Sequence, residues 1–369
     1  MMKIQLLPTI VLSAVCFTSL FAQTNTDWNG GGATDIWSDA ANWSAGTPDT
    51  NSEVARYLSF PTIDIEVDSD HTINSYLDGF DGAGQTTTFS GTGVLTVDRN
   101  LAGYSVGINN ATGGVGGTLK FSGKVTIDNS LGGATAVQNS NGTNNITEFA
   151  AGSTLTLNTN FQINNSGSYL FNGTLAGSAD FIAASSPGIS FGVGHDSSGY
   201  TGNVIYYSNG KVAIDGGTVL SNSQRFQVNG NNSELELNAA DAINGAGISI
   251  AGTNTFLLDA NANQDDMGFL NLGEGTLNLD LAAGVTGLSF ADSSAFDWTG
   301  GTVNITGFRE GVIKFGNDDT GLTAGQLDTI DDGIYSLTDE GYLTIPEPGT
   351  IPLFLIFGFG LLFSRRRKN

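Results

Sequence analysis

The chain is poor in the side chains that thiol, imidazole or metal chemistry requires. Its 369 residues include one cysteine, two histidines and three methionines. The cysteine, Cys16, lies in an apolar N-terminal segment that is typical of a removed secretion signal, and Val15 before it disfavours lipidation. The mature chain is therefore expected to contain no disulfide, no thiol nucleophile and no cysteine metal site.

Positive charge is also scarce. The sequence has 13 Lys and Arg against 36 Asp and Glu, a formal net charge of -23. Lys3 and the four cations at 365–368 leave 8 basic residues between Gln23 and Ile345, where 35 acidic residues lie. Such a body repels nucleic acid and anionic lipid, so we predict no nucleic-acid partner. Acidity of this kind keeps an extracellular protein soluble.

Helical periodicity is missing outside the two ends. Between about residues 95 and 307 short runs alternate polar and apolar residues, as in GTLKFSGKVTID and STLTLNTNFQIN. Pairs such as NG, GG and NN separate the runs, and the chain contains 52 glycines. Alternation with period two marks half-buried strands, and these pairs mark turns. The sequence therefore predicts an all-β protein.

A weak internal repeat favours a solenoid over a β-sandwich. SELEL and GISI, within Ser233–Ile250, are echoed roughly 40 residues later by GTLNL and GLSF, within Gly275–Phe290. Two coils of about 20 residues each would fit this spacing, and such coils must stack to share one core. We predict a right-handed parallel β-helix with about 12 to 16 coils and a length of roughly 60 to 75 Å. A Trp-rich cap at 23–60 would precede a solenoid body at 61–343.

Both termini carry export signals. Residues 1–22 combine Lys3, an apolar run and Ala22, which predicts a signal peptide. Near the other end, Ile351 to Phe363 is an apolar run of 13 residues, about 20 Å as a helix. By length alone it fits a buried helix. The cations behind it, at Arg365, Arg366, Arg367 and Lys368, favour a single short membrane-spanning helix with the body outside the cytoplasm.

The C-terminal segment resembles the PEP-CTERM sorting signal. Its Pro346, Glu347 and Pro348 precede the apolar run and the basic cluster, so the signal occupies 344–369. The resemblance implies that an exosortase, a membrane protease, removes the tail after transient anchoring in the inner membrane. The prolines would keep the segment before the helix extended for the protease. The alternative is a permanent tail anchor.

The body resembles bacterial autotransporter-like β-helix proteins at its two ends. A W…ANW…G.P pattern occupies Trp37, Asn42, Trp43, Gly46 and Pro48. An FG…GLT..QL…GYLT pattern follows from Phe315 to Thr344. The resemblance implies a glycine-rich parallel β-helix. The membrane barrel of a true autotransporter is not expected, because no segment long enough for it follows.

Candidate catalytic chemistry is weak. His71 and His195 stand alone in sequence, without the paired spacing of a metal site, and we predict that both lie in surface loops. Asp265 with Asp266, and Asp318 with Asp319, are adjacent acids that a strand would point to opposite faces. The stretch DANANQDDMG lacks the turn glycine and the final Glu of an EF-hand. We therefore predict no enzyme activity, no metal and no cofactor.

Three classes of function remain open. The first is a structural or adhesive protein of the cell surface or extracellular matrix, and we prefer it. The second is a glycan-binding module that uses exposed aromatic residues such as Tyr206, Tyr207 and Trp298, with extracellular polysaccharide as partner. The third is a polysaccharide lyase or hydrolase, which β-helices can also host. The fold alone does not decide among them.

Overall fold

The computed structural model describes residues 24–58, 62–79, 84–101, 106–110, 116–139, 144–164, 167–184, 188–207, 209–216 and 224–346. In this part of the chain, 32 strands, one 3-10 helix at Ala40–Asn42 and one short α-helix, α1 at Ala324–Leu327, are present.

The first ten strands are β1 (Thr24–Asp27), β2 (Glu53–Tyr57), β3 (Ile63–Glu66), β4 (His71–Ile73), β5 (Ser75–Asp78), β6 (Thr86–Ser90), β7 (Val94–Asp98), β8 (Val106–Asn110), β9 (Thr118–Phe121) and β10 (Lys124–Asp128). The next eleven are β11 (Thr135–Asn139), β12 (Ile146–Phe149), β13 (Thr154–Leu157), β14 (Phe161–Asn164), β15 (Ser168–Phe171), β16 (Thr174–Gly177), β17 (Phe181–Ala183), β18 (Gly188–Phe191), β19 (Val204–Tyr206), β20 (Lys211–Ile214) and β21 (Arg225–Val228). The last eleven are β22 (Ser233–Leu237), β23 (Gly247–Ile250), β24 (Thr255–Ala260), β25 (Gln264–Met267), β26 (Leu270–Asn271), β27 (Thr276–Leu281), β28 (Leu288–Phe290), β29 (Thr302–Thr306), β30 (Ile313–Phe315), β31 (Ser336–Leu337) and β32 (Leu343–Thr344).

The strands form the walls of a parallel β-solenoid. Sheet A has eleven strands in the order β1-β2-β5-β8-β11-β14-β17-β19-β21-β23-β26, and sheet B has eleven in the order β3-β6-β9-β12-β15-β18-β20-β22-β24-β27-β29. The third wall consists of sheet C, with β4-β7-β10-β13-β16, and sheet D, with β25-β28-β30. In the early coils the chain runs through sheet B, sheet C and sheet A in turn, and each strand pairs in parallel with its counterpart one coil away. The parallel solenoid, rather than the sandwich, is confirmed.

The number of coils is smaller than predicted. The solenoid has about ten turns, and ten rung spacings in sheet B give a length of about 48 Å. Coil length varies along the chain: the coil from Tyr169 to its register partner Ile189 is short, and the coil from Thr87 to its partner Leu119 is more than half as long again. The prediction of 12 to 16 coils was wrong because it assumed the shortest coil length throughout. The right-handed winding stays a prediction.

Half of the internal repeat reflects the coil period. β22 and β27 occupy sheet B two coils apart, with β24 between them, so the SELEL and TLNL echo is a stack of equivalent strands. The other half does not: GISI forms β23 in sheet A, whereas LSF forms β28 in sheet D. The two stretches share an alternating pattern without sharing a wall.

The alternating residues place a stack of phenylalanines in the core. Along sheet B one inward position is Phe in five consecutive coils, with ring centroids 5.1 to 5.4 Å apart and planes 9° to 28° from parallel. Ile65 precedes the stack and Ile214 follows it. We call this set the phenylalanine stack: Phe89, Phe121, Phe149, Phe171 and Phe191. Since no single coil can bury these rings alone, each coil is stabilised by its two neighbours.

Asparagine side chains connect successive coils. On the outside, Asn261 donates to Asn238, and Asn238 donates to Asp215, at 2.9 and 2.8 Å. Inside, the Asn139 amide donates to the carbonyls of Asn145 and Ser168. These bonds satisfy polar groups at the turns, where one coil passes to the next. Asparagine side chains thus form hydrogen-bonded links between rungs.

The Trp-rich N-terminal region covers the first coil. Trp28, Trp37 and Trp43 are buried, with Trp43 edge-on to Trp28 at 5.0 Å and to Trp37 at 4.8 Å. The Trp43 indole N–H donates to the Trp37 carbonyl, and that of Trp37 donates to the Pro48 carbonyl. Sheet A already begins here, because β1 pairs in parallel with β2. The aromatic cluster therefore closes the end of the core beyond which the described residues form no further coil.

Candidate functional site: the C-terminal exit and the acidic groove

The sorting segment leaves the body directly from the last packed elements. β32 pairs with β31 in an antiparallel hairpin, and Leu343 is fully buried. The Phe315 N–H donates to the Gly341 carbonyl at 2.9 Å, which ties the hairpin to β30. Just beyond Leu343, Ile345 is already 46% exposed, and Pro346 is exposed. The exit is thus a short transition from a fixed strand to solvent.

A small C-terminal cap supports this exit. Thr323 and Gln326 form a reciprocal capping box at the start of α1, and the Gln326 side chain also donates to the carbonyls of Ser293 and Phe296. The capping box satisfies backbone donors that a short helix would otherwise leave unpaired. The Gln326 side chain therefore ties α1 to the segment that follows β28.

Most residues of the predicted sorting signal lie outside the described part of the chain. Of the predicted sorting signal at 344–369, the structure describes Thr344, Ile345 and Pro346. The remaining predicted residues lie outside the described part of the chain: Glu347, Pro348, Arg365, Arg366, Arg367 and Lys368. The predicted signal peptide at 1–22 also lies outside it. Within the described residues, no helix has both the length and the apolar character needed to cross a membrane.

An open groove of about 420 Å³ lies on sheet D, close to the exit. Three successive coils supply its polar residues: Asp265, Asp266, Ser289, Asp292, Lys314, Asn317 and Asp318. Lys314 donates to Asn317 at 3.1 Å and lies 5.6 Å from the ring centroid of Tyr342. Despite the four carboxyl groups, no set of three or more His, Cys, Asp or Glu among the described residues is arranged to hold a metal ion.

The groove corrects the prediction for the adjacent acids. Asp265 and Asp266 do not point to opposite faces; both are exposed. β25 shifts register against β28 between Gln264 and Met267, and such an irregularity breaks the alternation of faces. Asp318 and Asp319 lie in a turn, and both are exposed as well. The Thr320 hydroxyl, and then its backbone N–H, lower the pKa of Asp318 by hydrogen bonding to the carboxylate.

Sequence reasoning missed the groove because its residues are separated by whole coils. Asp265, Ser289 and Lys314 each lie about one coil further along the chain than the one before. Only the coil period of the surrounding strands could have indicated that these positions share one wall. The asparagines of the rejected EF-hand stretch bind neighbouring coils instead of converging, since Asn261 donates to Asn238 and Asn263 to Thr286.

The surface-loop prediction for the histidines was wrong. His71 is 6% exposed, because it is an inward residue of β4 in register with Leu95. Its Nδ1 lies 3.2 Å from an Asp49 carboxylate oxygen and its Nε2 lies 3.0 Å from the Ser69 hydroxyl. The ring packs beside Trp37 at 5.8 Å, so His71 is part of the core.

His195 is 4% exposed and follows β18, where an isolated bridge from Thr174 to Asp196 continues the third wall. Its ring packs on Phe191 at 4.7 Å, and neither ring nitrogen has a hydrogen-bond partner. Burial lowers its pKa to about 4, and a backbone contact with Gly173 and the charge of Asp196 offset this only in part. His195 is therefore a neutral core residue at neutral pH.

This burial predicts a loss of stability in acid. Between pH 6.5 and about 4 the unfolded chain binds a proton at His195 that the folded chain does not, so stability falls as the pH falls. At pH 5 this proton uptake should lower the free energy of unfolding by about 2 kcal/mol. Urea unfolding of the wild type and of His195→Leu, at pH 7 and pH 5, measures it. We expect the free energy of unfolding of His195→Leu, relative to that of the wild type, to be higher at pH 5 than at pH 7. An equal difference between the two proteins at both pH values would contradict the prediction.

The predicted aromatic display is largely absent from the surface. Tyr206 and Trp298 are 0% and 3% exposed, and only Tyr207 of the three, at 44%, is exposed. Tyr206 is an inward residue of β19 in register with Val228, and the Trp298 indole donates to the Leu270 carbonyl at 2.9 Å. The prediction that all three are exposed was therefore wrong for two of them.

Comparison with known proteins identifies the C-terminal segment. Residues 344–368 match the PEP-CTERM protein-sorting motif. The chain therefore carries a signal that indicates an exported, exosortase-processed protein of the cell surface or extracellular space, attached here to a parallel β-solenoid body. Neither the curated proteins nor the solved structures include a significant match to this chain.

Proposed function

We propose that this chain is a structural or adhesive component of the cell surface or extracellular matrix. The observation that carries the proposal is the direct attachment of a long, parallel, side-chain-laddered body to a PEP-CTERM segment. A body of this kind resists local unfolding because each interior coil is paired on both sides along its walls. It also offers a repetitive outer surface for contacts with matrix polymers. The resemblance to autotransporter-like β-helices agrees with such a role.

The proposed route begins with a signal peptide at 1–22 and ends with an exosortase in the inner membrane. A short apolar helix and the cluster Arg365 to Lys368 would hold the chain in the membrane with the body outside. Because Leu343 is fixed and Pro346 is exposed, the cleaved segment would start immediately beyond the folded cap. Cleavage would then release the body or pass it to another acceptor.

A glycan-binding role is the second candidate. The groove on sheet D presents carboxyl, hydroxyl and amide groups from three coils, and such groups can hydrogen-bond to sugar hydroxyls. Against it stands the burial of Tyr206 and Trp298, since sugar-binding surfaces usually need exposed aromatic faces. The structural role therefore remains the preferred proposal.

Matrix retention tests the structural role. The wild-type chain and a chain ending at Pro346 would be produced in a host with an exosortase, each with the same epitope in the body. We expect the wild-type body in the extracellular matrix fraction and the truncated body in the medium. Equal distribution of the two would contradict a role that depends on sorting. A glycan array with the purified body tests the second candidate separately.

We further propose that the body is not an enzyme. The purified protein is expected to show no glycosidase, polysaccharide lyase or protease turnover above a buffer control. Two observations support this proposal: both histidines are buried in the core, and the groove on sheet D is open. The groove gives the sharpest check, with Asp265→Asn, Asp292→Asn and Asp318→Asn as variants. Turnover of a polysaccharide that any one of these variants abolishes would overturn the proposal.

A further inference from the structure

A group of buried oxygen atoms lies inside the first two coils, at the corner where sheet A passes to sheet B. Asp78 ends β5 and is fully buried, and its two carboxyl oxygens have no hydrogen-bond partner. The side-chain oxygens of four neighbours in the same coils are also buried and unpartnered. These neighbours are Tyr76, Gln85, Thr87 and Asn110.

The fold brings these side chains to one interior corner. Tyr76 and Asp78 alternate on β5, and both point inward. Asn110 is the register partner of Asp78 one coil further on, about 4.8 Å along the axis. Gln85 lies just before β6 and its side-chain oxygen is buried, and Thr87 points inward from β6, directly after the chain has turned the corner. Burial raises the pKa of the Asp78 carboxyl group well above its usual range, and interactions with the nearby Thr87 and Tyr76 hydroxyls offset this rise only in part. Without a compensating charge the carboxyl group therefore keeps its proton.

The next coil shows how the same corner closes without a charge. Asn139, the register partner of Asn110, donates to two carbonyls and accepts from the Thr147 hydroxyl at 2.7 Å. An amide can both donate and accept, so it satisfies the corner by itself. The first two coils instead present a carboxyl group, two hydroxyls and two amide oxygens, all of which can accept.

We propose that this corner, centred on Asp78 with Tyr76, Gln85, Thr87 and Asn110, binds a monovalent alkali cation. Oxygen atoms are the ligands that hard cations prefer. A buried carboxylate needs a compensating charge, and one carboxylate balances one positive charge. A divalent ion would leave a net charge in the core. A bound cation would also link coils one and two, which lie under the aromatic N-terminal cap.

Thermal unfolding of the purified exported protein tests the proposal. At matched ionic strength and neutral pH, we expect a higher Tm in NaCl or KCl than in choline chloride, by a few degrees and with a saturable dependence on concentration. Asp78→Asn should have the same Tm in all three salts. Thr87→Val, which removes one oxygen at nearly constant shape, should show a reduced response. Asp339→Asn, at an exposed position, serves as the matched control and should respond like the wild type.

The outcomes that overturn the proposal are distinct. An identical wild-type Tm in all three salts would mean that Asp78 keeps a proton or a water instead of a cation. As a further salt, CaCl2 tests the charge of the ion: a higher Tm in CaCl2 without a higher Tm in NaCl or KCl would overturn the assignment to a monovalent ion. An undiminished response in Asp78→Asn would place the cation elsewhere. If Asp78→Asn does not fold, the comparison of the wild type with Thr87→Val decides the question.

Discussion

Changing Glu347 or Pro348 to Ala is expected to leave nearly all of the protein as an uncleaved precursor in the inner membrane. The PEP-CTERM match covers 344–368, so these variants remove the recognised element while the apolar run and the cations remain. Intact-mass measurement of surface or medium fractions checks this. The wild-type mature chain should end near 346–350, and the variants should retain the C-terminal cations.

Two further variants make this experiment specific. Asp339→Asn changes an exposed residue that lies before the matched segment 344–368, and this variant should be processed normally. Replacing Arg365, Arg366 and Arg367 with neutral residues should instead weaken membrane retention, because it removes most of the positive-inside bias. Recovery of wild-type mature protein that still carries Arg367 would contradict processing and favour a permanent anchor.

Phe149→Ala is expected to destabilise the solenoid by about 3 to 5 kcal/mol. Phe149 is 2% exposed and lies between two rings of the phenylalanine stack, 5.1 Å from both Phe121 and Phe171. The substitution removes two stacked contacts and leaves a cavity that coils on both sides line. Urea unfolding measures the loss, and Phe149→Leu should cost less because it keeps most of the volume.

Hydrogen exchange locates the same effect. Because a coil contacts only its neighbours, protection should fall most in β9, β12 and β15 and least in the last coils. Thr154→Ala, on the outer face of β13, is the matched control and should change stability by less than about 0.5 kcal/mol. A Phe149→Ala protein as stable as the Thr154→Ala protein would show that the stack does not support the core.

The local sequence determined the fold class and the sorting signal of the protein. Alternation with period two is a property of single strands, so it identified an all-β chain before any pairing was known. The same holds for the asparagines at turns, whose side chains do connect successive coils. The sorting signal is contiguous, and Pro346, Glu347 and Pro348 could therefore be recognised without a structure.

Only the tertiary structure decided which residues meet and which are buried. Tyr206 and Tyr207 are adjacent, and alternation says that one of them points inward, but the register with β21 decides that it is Tyr206. Whether His71 and His195 point into the core likewise depends on tertiary pairing, which the sequence does not show. The acidic groove and the Asp78 corner join residues from different coils, and the unequal lengths of the coils hide that spacing in the sequence. Stacking along the axis, which no single segment encodes, brings these residues together.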